Sequence, residues 1–129
     1  MLEPLDVLIV DDDPDCAELT KERLEDMGLS IEVHLGGFGT MKQIMNKSPA
    51  VVVLDLDMPG IGGRKLVEMI ASHSEHTAGT RVLLYSNADP EELQELAEKF
   101  GADAWLRKGS SGRELKAAVN GLLRQQRAA

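Results

Sequence analysis

The chain has 129 residues, 43% of them hydrophobic, with 22 acidic against 14 basic side chains and a formal net charge of −8. That length suits one domain, 1–129 with its core at about 6–125, large enough to fold without a disulfide or a metal. The acidic balance speaks against a nucleic-acid-binding surface, the apolar content against disorder, and the lack of any ~20-residue apolar run against a membrane span. Met1-Leu2-Glu3-Pro4 shows neither the positive region nor the apolar core of a secretory signal. The lone cysteine, Cys16, precludes an internal disulfide. A cytoplasmic location is therefore expected.

The first strand is predicted at 6–10, where Val7-Leu8-Ile9-Val10 runs into Asp11-Asp12-Asp13. A helix over 14–27 follows, with Asp13 as N-cap, Pro14 in its first turn and Gly28 just past its end. Cys16, Leu24 and Met27 fall near one face, which makes Cys16 a small core residue. A second strand is expected at 31–35. The next helix, at 40–47, opens with the capping-box pattern Thr40-Met41-Lys42-Gln43. The third strand, 51–55, is the apolar run Val51-Val52-Val53-Leu54 ending in Asp55, and Leu56-Asp57-Met58-Pro59-Gly60 follows as a loop. A helix at 63–73 carries Leu66, Val67 and Ile70. A fourth strand at 82–86 leads to a helix that opens with Asp89-Pro90-Glu91-Glu92 and stops at Phe100-Gly101. The last strand, 104–107, precedes a helix at 111–125, and the tail from Arg124 reads either as a fraying end or as the start of a removed linker.

Unbroken apolar strands alternating with helices imply a parallel α/β sheet covered by helices on both faces. In such sheets the site lies beyond the C-terminal ends of the strands. Asp11 and Asp12 follow strand 1, Asp55 strand 3, Ser86 strand 4 and Lys108 strand 5. Carboxylates gathered there repel one another and either raise a pKa or recruit a cation. Oxygen-only ligands suit Mg²⁺, which accepts carboxylates, water and a substrate phosphate.

The acid pair, the Asp-x-x-Met-Pro-Gly segment, the serine and the lysine, in that order, resemble the receiver domain of bacterial two-component response regulators, the CheY-like family. The resemblance covers roughly 6–125. It implies a doubly wound (βα)5 flavodoxin-like fold, and it supplies the strand order 2-1-3-4-5, which the spacing alone does not give. It implies Asp55 as phosphoacceptor and Asp12 as a direct ligand of Mg²⁺ or Mn²⁺, with Asp11 alongside through water. The backbone carbonyl of Asp57 would complete the metal shell. Ser86 matches the switch hydroxyl, Lys108 the lysine that pairs with the acyl phosphate, and Trp105 the aromatic switch position. The implied donor is a sensor histidine kinase or a histidine phosphotransfer protein. The implied output is the surface of helix 4, strand 5 and helix 5, acting on an unknown target or a removed output domain.

Taken singly, each residue has a plainer reading. Asp13 is a capping acid, Ser86-Asn87 is ordinary turn chemistry, Lys108 a surface lysine and Trp105 core. His34, His73 and His76 lack metal-ligand spacing, and Gly36-Gly37-Phe38-Gly39 lacks the dinucleotide-binding spacing. The chain also departs from the family pattern. Gly109 follows the lysine where proline is usual, so the Lys108–Gly109 peptide is expected to be trans. Gly62-Gly63 stands where Asp-Gly is common, and Ala88 leaves the rim of the site small and apolar. Two other functions compete with a signalling domain that catalyses only its own phosphorylation and dephosphorylation. Asp55-Leu56-Asp57 is also similar to the nucleophile motif of haloacid dehalogenase-like phosphatases, although there it follows the first strand. A degenerate receiver would serve only as an interaction scaffold.

Overall fold

A computed structural model describes residues 5–56, 58, 62–72 and 79–128. Five strands, β1 (Val7–Asp11), β2 (Ile31–Leu35), β3 (Val51–Leu54), β4 (Arg81–Ser86) and β5 (Ala104–Arg107), form one parallel sheet in the order β2-β1-β3-β4-β5. Among the described residues five α-helices connect and flank them: α1 (Pro14–Leu24), α2 (Thr40–Lys47), α3 (Gly63–Ser72), α4 (Pro90–Phe100) and α5 (Gly112–Ala128). The fold class and strand order are those expected.

Away from their terminal residues the central strands are runs of apolar side chains and one tyrosine, because both of their faces are covered. Leu8, Val10, Val52, Leu54, Val82 and Leu84 point to one side, against Ile44 of α2, Leu66, Val67 and Ile70 of α3, and Leu93 and Ala97 of α4. The alternate residues Val7, Ile9, Val51, Val53, Leu83 and Tyr85 point to the other, against Ala17 and Leu24 of α1 and Leu115, Val119, Leu122 and Leu123 of α5. The period-2 alternation of strand side chains thus builds two cores from one sheet.

Several boundaries differ from expectation, each for a local reason. The α-helical part of α1 ends at Leu24 and tightens into a 3₁₀ turn, Glu25–Met27, closed by Gly28 at a φ of 72°. Cys16 is not core. It is half-buried, and its thiol donates to Asp13 Oδ2 at 3.3 Å. The capping box at Thr40 does not form. Gly39, at a φ of 80°, is the N-cap, and the buried Thr40 hydroxyl donates back to Gly36 O at 3.3 Å. Asp89 holds the extended N-cap conformation of α4 without a side-chain cap bond, leaving Pro90 and the acids Glu91 and Glu92 to mark the start. Ser111 does cap α5, accepting from Glu114 N at 3.2 Å. That helix does not fray at Arg124. It runs on to Ala128, past the buried Leu122 and Leu123, and Arg127 pairs with Asp6 at 3.7 Å.

Candidate functional site

The site is built by strand ends. Asp11 is the last residue of β1, and its carbonyl accepts from Gly36 N at 3.1 Å. Asp55 follows the last residue of β3, and its N–H donates to Val10 O at 3.0 Å. That single rung seats Asp55 beside Asp11. Asp12 leaves the strand and is exposed, whereas Asp11 and Asp55 are 3% and 7% exposed. Oxygen atoms of these three carboxylates lie within 4.8 Å of one another. Asp13 then turns the chain into α1 by accepting from Asp15 N and Cys16 N. Its own N–H donates to Asp11 Oδ1 at 3.0 Å, which fixes the orientation of the Asp11 carboxylate.

Lys108 approaches from the far edge of the sheet. Its backbone N–H donates to Ser86 O at 2.8 Å, continuing the β4–β5 ladder by one rung. Its ammonium donates to Asp11 Oδ2 at 3.0 Å and pairs with Asp55 Oδ1 at 3.5 Å. Burial alone would lower the Lys108 pKa. The hydrogen bond donated to Asp11 and the charges of Asp55 and Asp11 outweigh it and hold the ammonium's pKa above its ordinary value. A half-buried lysine bridging two buried carboxylates needs both partners, since removing any one leaves a charge uncompensated in a partly desolvated site.

Ser86 is completely buried at the end of β4, and its hydroxyl oxygen accepts from Ala88 N at 3.2 Å. Trp105, in β5 opposite Leu84, is half-buried. Its ring packs on the core beneath α4 while its indole N–H donates to Gln94 Oε1 at 2.7 Å. The Lys108–Gly109 peptide is trans, as expected, since the described residues hold no cis bond, and Gly109 has a φ of 93°. Asp57, expected to offer its carbonyl, lies outside the described residues, as do His73 and His76.

Gly63 carries more of the site than its sequence position suggests. It opens α3, and its N–H donates to Leu56 O at 3.2 Å. A β-carbon there would collide with the carbonyl oxygen of Asp55 and the α-carbon of Leu56. Only glycine lets α3 start against the backbone that aims Asp55. A glycine at the first turn of a helix, soon after Met58-Pro59-Gly60, was the available signal. The reading of Gly62-Gly63 as a departure from a family pattern passed over it.

Three clustered carboxylates suit a hard divalent cation, and the adjacent ammonium suits a phosphoryl oxygen. Known proteins resemble the chain over nearly its whole length. The family model described as "Response regulator receiver domain" matches residues 7–120. Over 116 residues the chain is 33% identical to the sensor protein GacS of Pseudomonas syringae pv. syringae, covering 88% of this chain and 13% of that protein. It is 30% identical over 122 residues to the transcriptional regulatory protein TrcR of Mycobacterium tuberculosis, covering 95% of this chain and 46% of that protein. The chain thus spans about half, or much less, of the curated relatives it matches. Among solved structures, the receiver domain of the Francisella response regulator 1452 superposes with a TM-score of 0.83 at 29% identity, covering 95% and 98% of the two chains. A CheY-like receiver from Methanospirillum hungatei JF-1 shares the fold with a TM-score of 0.83 at 24% identity, covering 98% of each. These likenesses favour neither the phosphatase reading nor the scaffold-only reading. No described helix is long and apolar enough to cross a membrane.

Proposed function

The chain belongs to the response regulator receiver family and is a phosphoacceptor receiver, and we propose that Asp55 is its acceptor. The donor is a phosphohistidine on a sensor histidine kinase or a histidine phosphotransfer protein. A carboxylate oxygen of Asp55 attacks phosphorus in line. A new O–P bond forms, the P–N bond breaks, and its electron pair stays with the departing imidazole. Lys108, now bridging Asp11 and Asp55, turns to an oxygen of the acyl phosphate. The Ser86 hydroxyl donates to another.

Asp12 directly, Asp11 through water, Asp55, and the backbone carbonyl of Asp57 would hold Mg²⁺ or Mn²⁺. The cation supplies positive charge against the negative charge that grows in phosphoryl transfer. The chain catalyses only its own phosphorylation and dephosphorylation. Residues 6–125 form the receiver, acting in the cytoplasm through the surface of α4, β5 and α5.

The observation that carries this reading is the convergence of Asp11, Asp12, Asp55 and Lys108 from three strand ends onto one point. Incubation with a small acyl phosphate and Mg²⁺, followed by intact mass, tests it. The expected result is one phosphoryl adduct, lost in Asp55→Asn. Equal labelling of the variant would make the acceptor another residue. Turnover without an adduct would point to a phosphatase, and no reaction at all to a scaffold.

A further inference from the structure

Arg23 lies on α1, on the opposite side of the sheet from Trp105 and α4. One of its terminal nitrogens, Nη1, makes two contacts. It donates to the hydroxyl of Tyr85 at 3.0 Å and, at a longer 3.5 Å, to the carbonyl oxygen of Ser110. Tyr85 is buried and immediately precedes Ser86. Ser110 lies two residues beyond Lys108. The same guanidinium therefore grips the neighbours of two site residues, one at the end of β4 and one just past the end of β5.

The segment it grips has little else to fix it. Gly109 occupies the left-handed region, and no heavy atom beyond its chain neighbours lies within 4 Å of where its β-carbon would stand. Ser110 closes only locally, through its N–H and hydroxyl to Arg107 O at 3.2 and 2.7 Å. Among the described residues the tether from α1 is the long-range hydrogen bond that Ser110 makes. The aliphatic stem of Arg23 also runs beside Gly112, where an added β-carbon would meet its Cγ at 3.7 Å. A planar guanidinium carries its donors in a fixed fork and so holds such acceptors in a set geometry, where the mobile ammonium of a lysine would fix them less.

We propose that Arg23 is a positioning residue: by holding Tyr85 and Ser110 together it sets where Lys108 and Ser86 stand relative to Asp55. The proposal rests on the phosphoacceptor reading for its kinetic part. Its structural part can be tested without any phosphoryl chemistry. Small misplacements of catalytic groups cost rate steeply, so loosening this tie should act on the rate of transfer rather than on metal binding.

The test uses Arg23→Met, which keeps the stem and removes the donors, with Arg23→Lys and Tyr85→Phe as graded partners. Hydrogen exchange of the peptide spanning 106–114 should speed up several-fold in Arg23→Met. With acetyl phosphate as donor, its maximal labelling rate should fall on the order of tenfold. The Mg²⁺ concentration for half-maximal rate should stay within about twofold, since the Asp11–Asp12–Asp55 cluster is untouched. Arg23→Lys and Tyr85→Phe should fall between wild type and Arg23→Met.

Unchanged exchange together with an unchanged rate overturns the proposal, whatever happens to the melting temperature. So does a rate loss that saturating Mg²⁺ restores. If wild type itself takes no phosphoryl group, the phosphoacceptor reading fails and the kinetic part falls with it. The exchange result then still decides whether Arg23 holds the loop.

Discussion

Gly63 shows how much one missing atom can do for a site. Its α-carbon stands so close to Asp55 and Leu56 that a methyl group has no place. Gly63→Ala must therefore push α3 away or bend the loop that carries Asp55. Overpacking of this kind costs about 1–3 kcal/mol, so the thermal midpoint should drop by several degrees. Gly62→Ala is the control, because among the described residues its β-carbon would meet only Met58 O, at an ordinary 3.7 Å. Equal melting of the two variants would remove the steric argument. Cys16 makes a second point at this scale. A thiol in the first turn of a helix usually ionises easily. Here the hydrogen bond to the Asp13 carboxylate, aided by burial, pushes the Cys16 pKa above its ordinary value. The same bond, with the Cys16 and Asp15 N–H groups, holds Asp13 below its own. Since the thiolate is the reactive form, a raised pKa leaves less of it at any given pH. Iodoacetamide should thus modify Cys16 at pH 8 more slowly than it modifies free cysteine. Asp13→Asn, which keeps a capping oxygen, should speed the reaction. A Cys16 that reacts as fast as free cysteine would refute the assignment.

Elements were legible where a single local rule decided them. The runs Val7–Val10 and Val51–Leu54 read as strands covered on both faces, and Asp13-Pro14 and Phe100-Gly101 mark helix ends by cap chemistry. The Thr40 cap was misread because a glycine beside it took the left-handed position first, an outcome set by the Gly36–Gly39 turn rather than by Thr40. The acids and Lys108 were readable only as a joint pattern, since their meeting depends on the order of the strands. Arg23 was not readable at all, because its acceptors lie 62 and 87 positions away. At this same scale stands the coupling between β5 and α4. The Trp105 indole spans them, packed on the core at one edge and bound to Gln94 at the other. If a phosphoryl group on Asp55 draws the Ser86 hydroxyl toward it, space opens behind Ser86 and the indole can turn inward, breaking the Gln94 bond. That is a two-state element biased by a local charge change. Trp105 emission should shift to the blue on adding Mg²⁺ with beryllofluoride, and Asp55→Asn should abolish the shift. An unchanged spectrum would leave Trp105 as plain core.

Across the whole molecule, the sheet delivers its charges to one end. β1 and β3 bring three carboxylates within 4.8 Å, and β5 answers with one ammonium that contacts two of them, Asp11 and Asp55. Two carboxylates at that separation repel by roughly 3–4 kcal/mol at an effective dielectric of 20. The fold carries this cost in the absence of metal, on a chain whose net charge is already −8. A cation that binds the folded cluster and not the unfolded chain stabilises by mass action, about 1.4 kcal/mol at ten times its dissociation constant. For a domain of this size that amounts to about 4–7 °C in the thermal midpoint. Mg²⁺ should therefore raise the melting temperature saturably, and an equal ionic strength of NaCl should not. Asp12→Asn works in both directions. Without metal it removes a like charge from an exposed position that Lys108 does not contact, so the variant should melt at or above wild type. With metal it lacks a ligand, so the Mg²⁺-dependent rise should largely vanish. A variant that melts well below wild type without metal would show that Asp12 supports the fold by some contact other than repulsion relieved by a cation. A variant that keeps the full Mg²⁺ rise would place the cation elsewhere on this acidic surface.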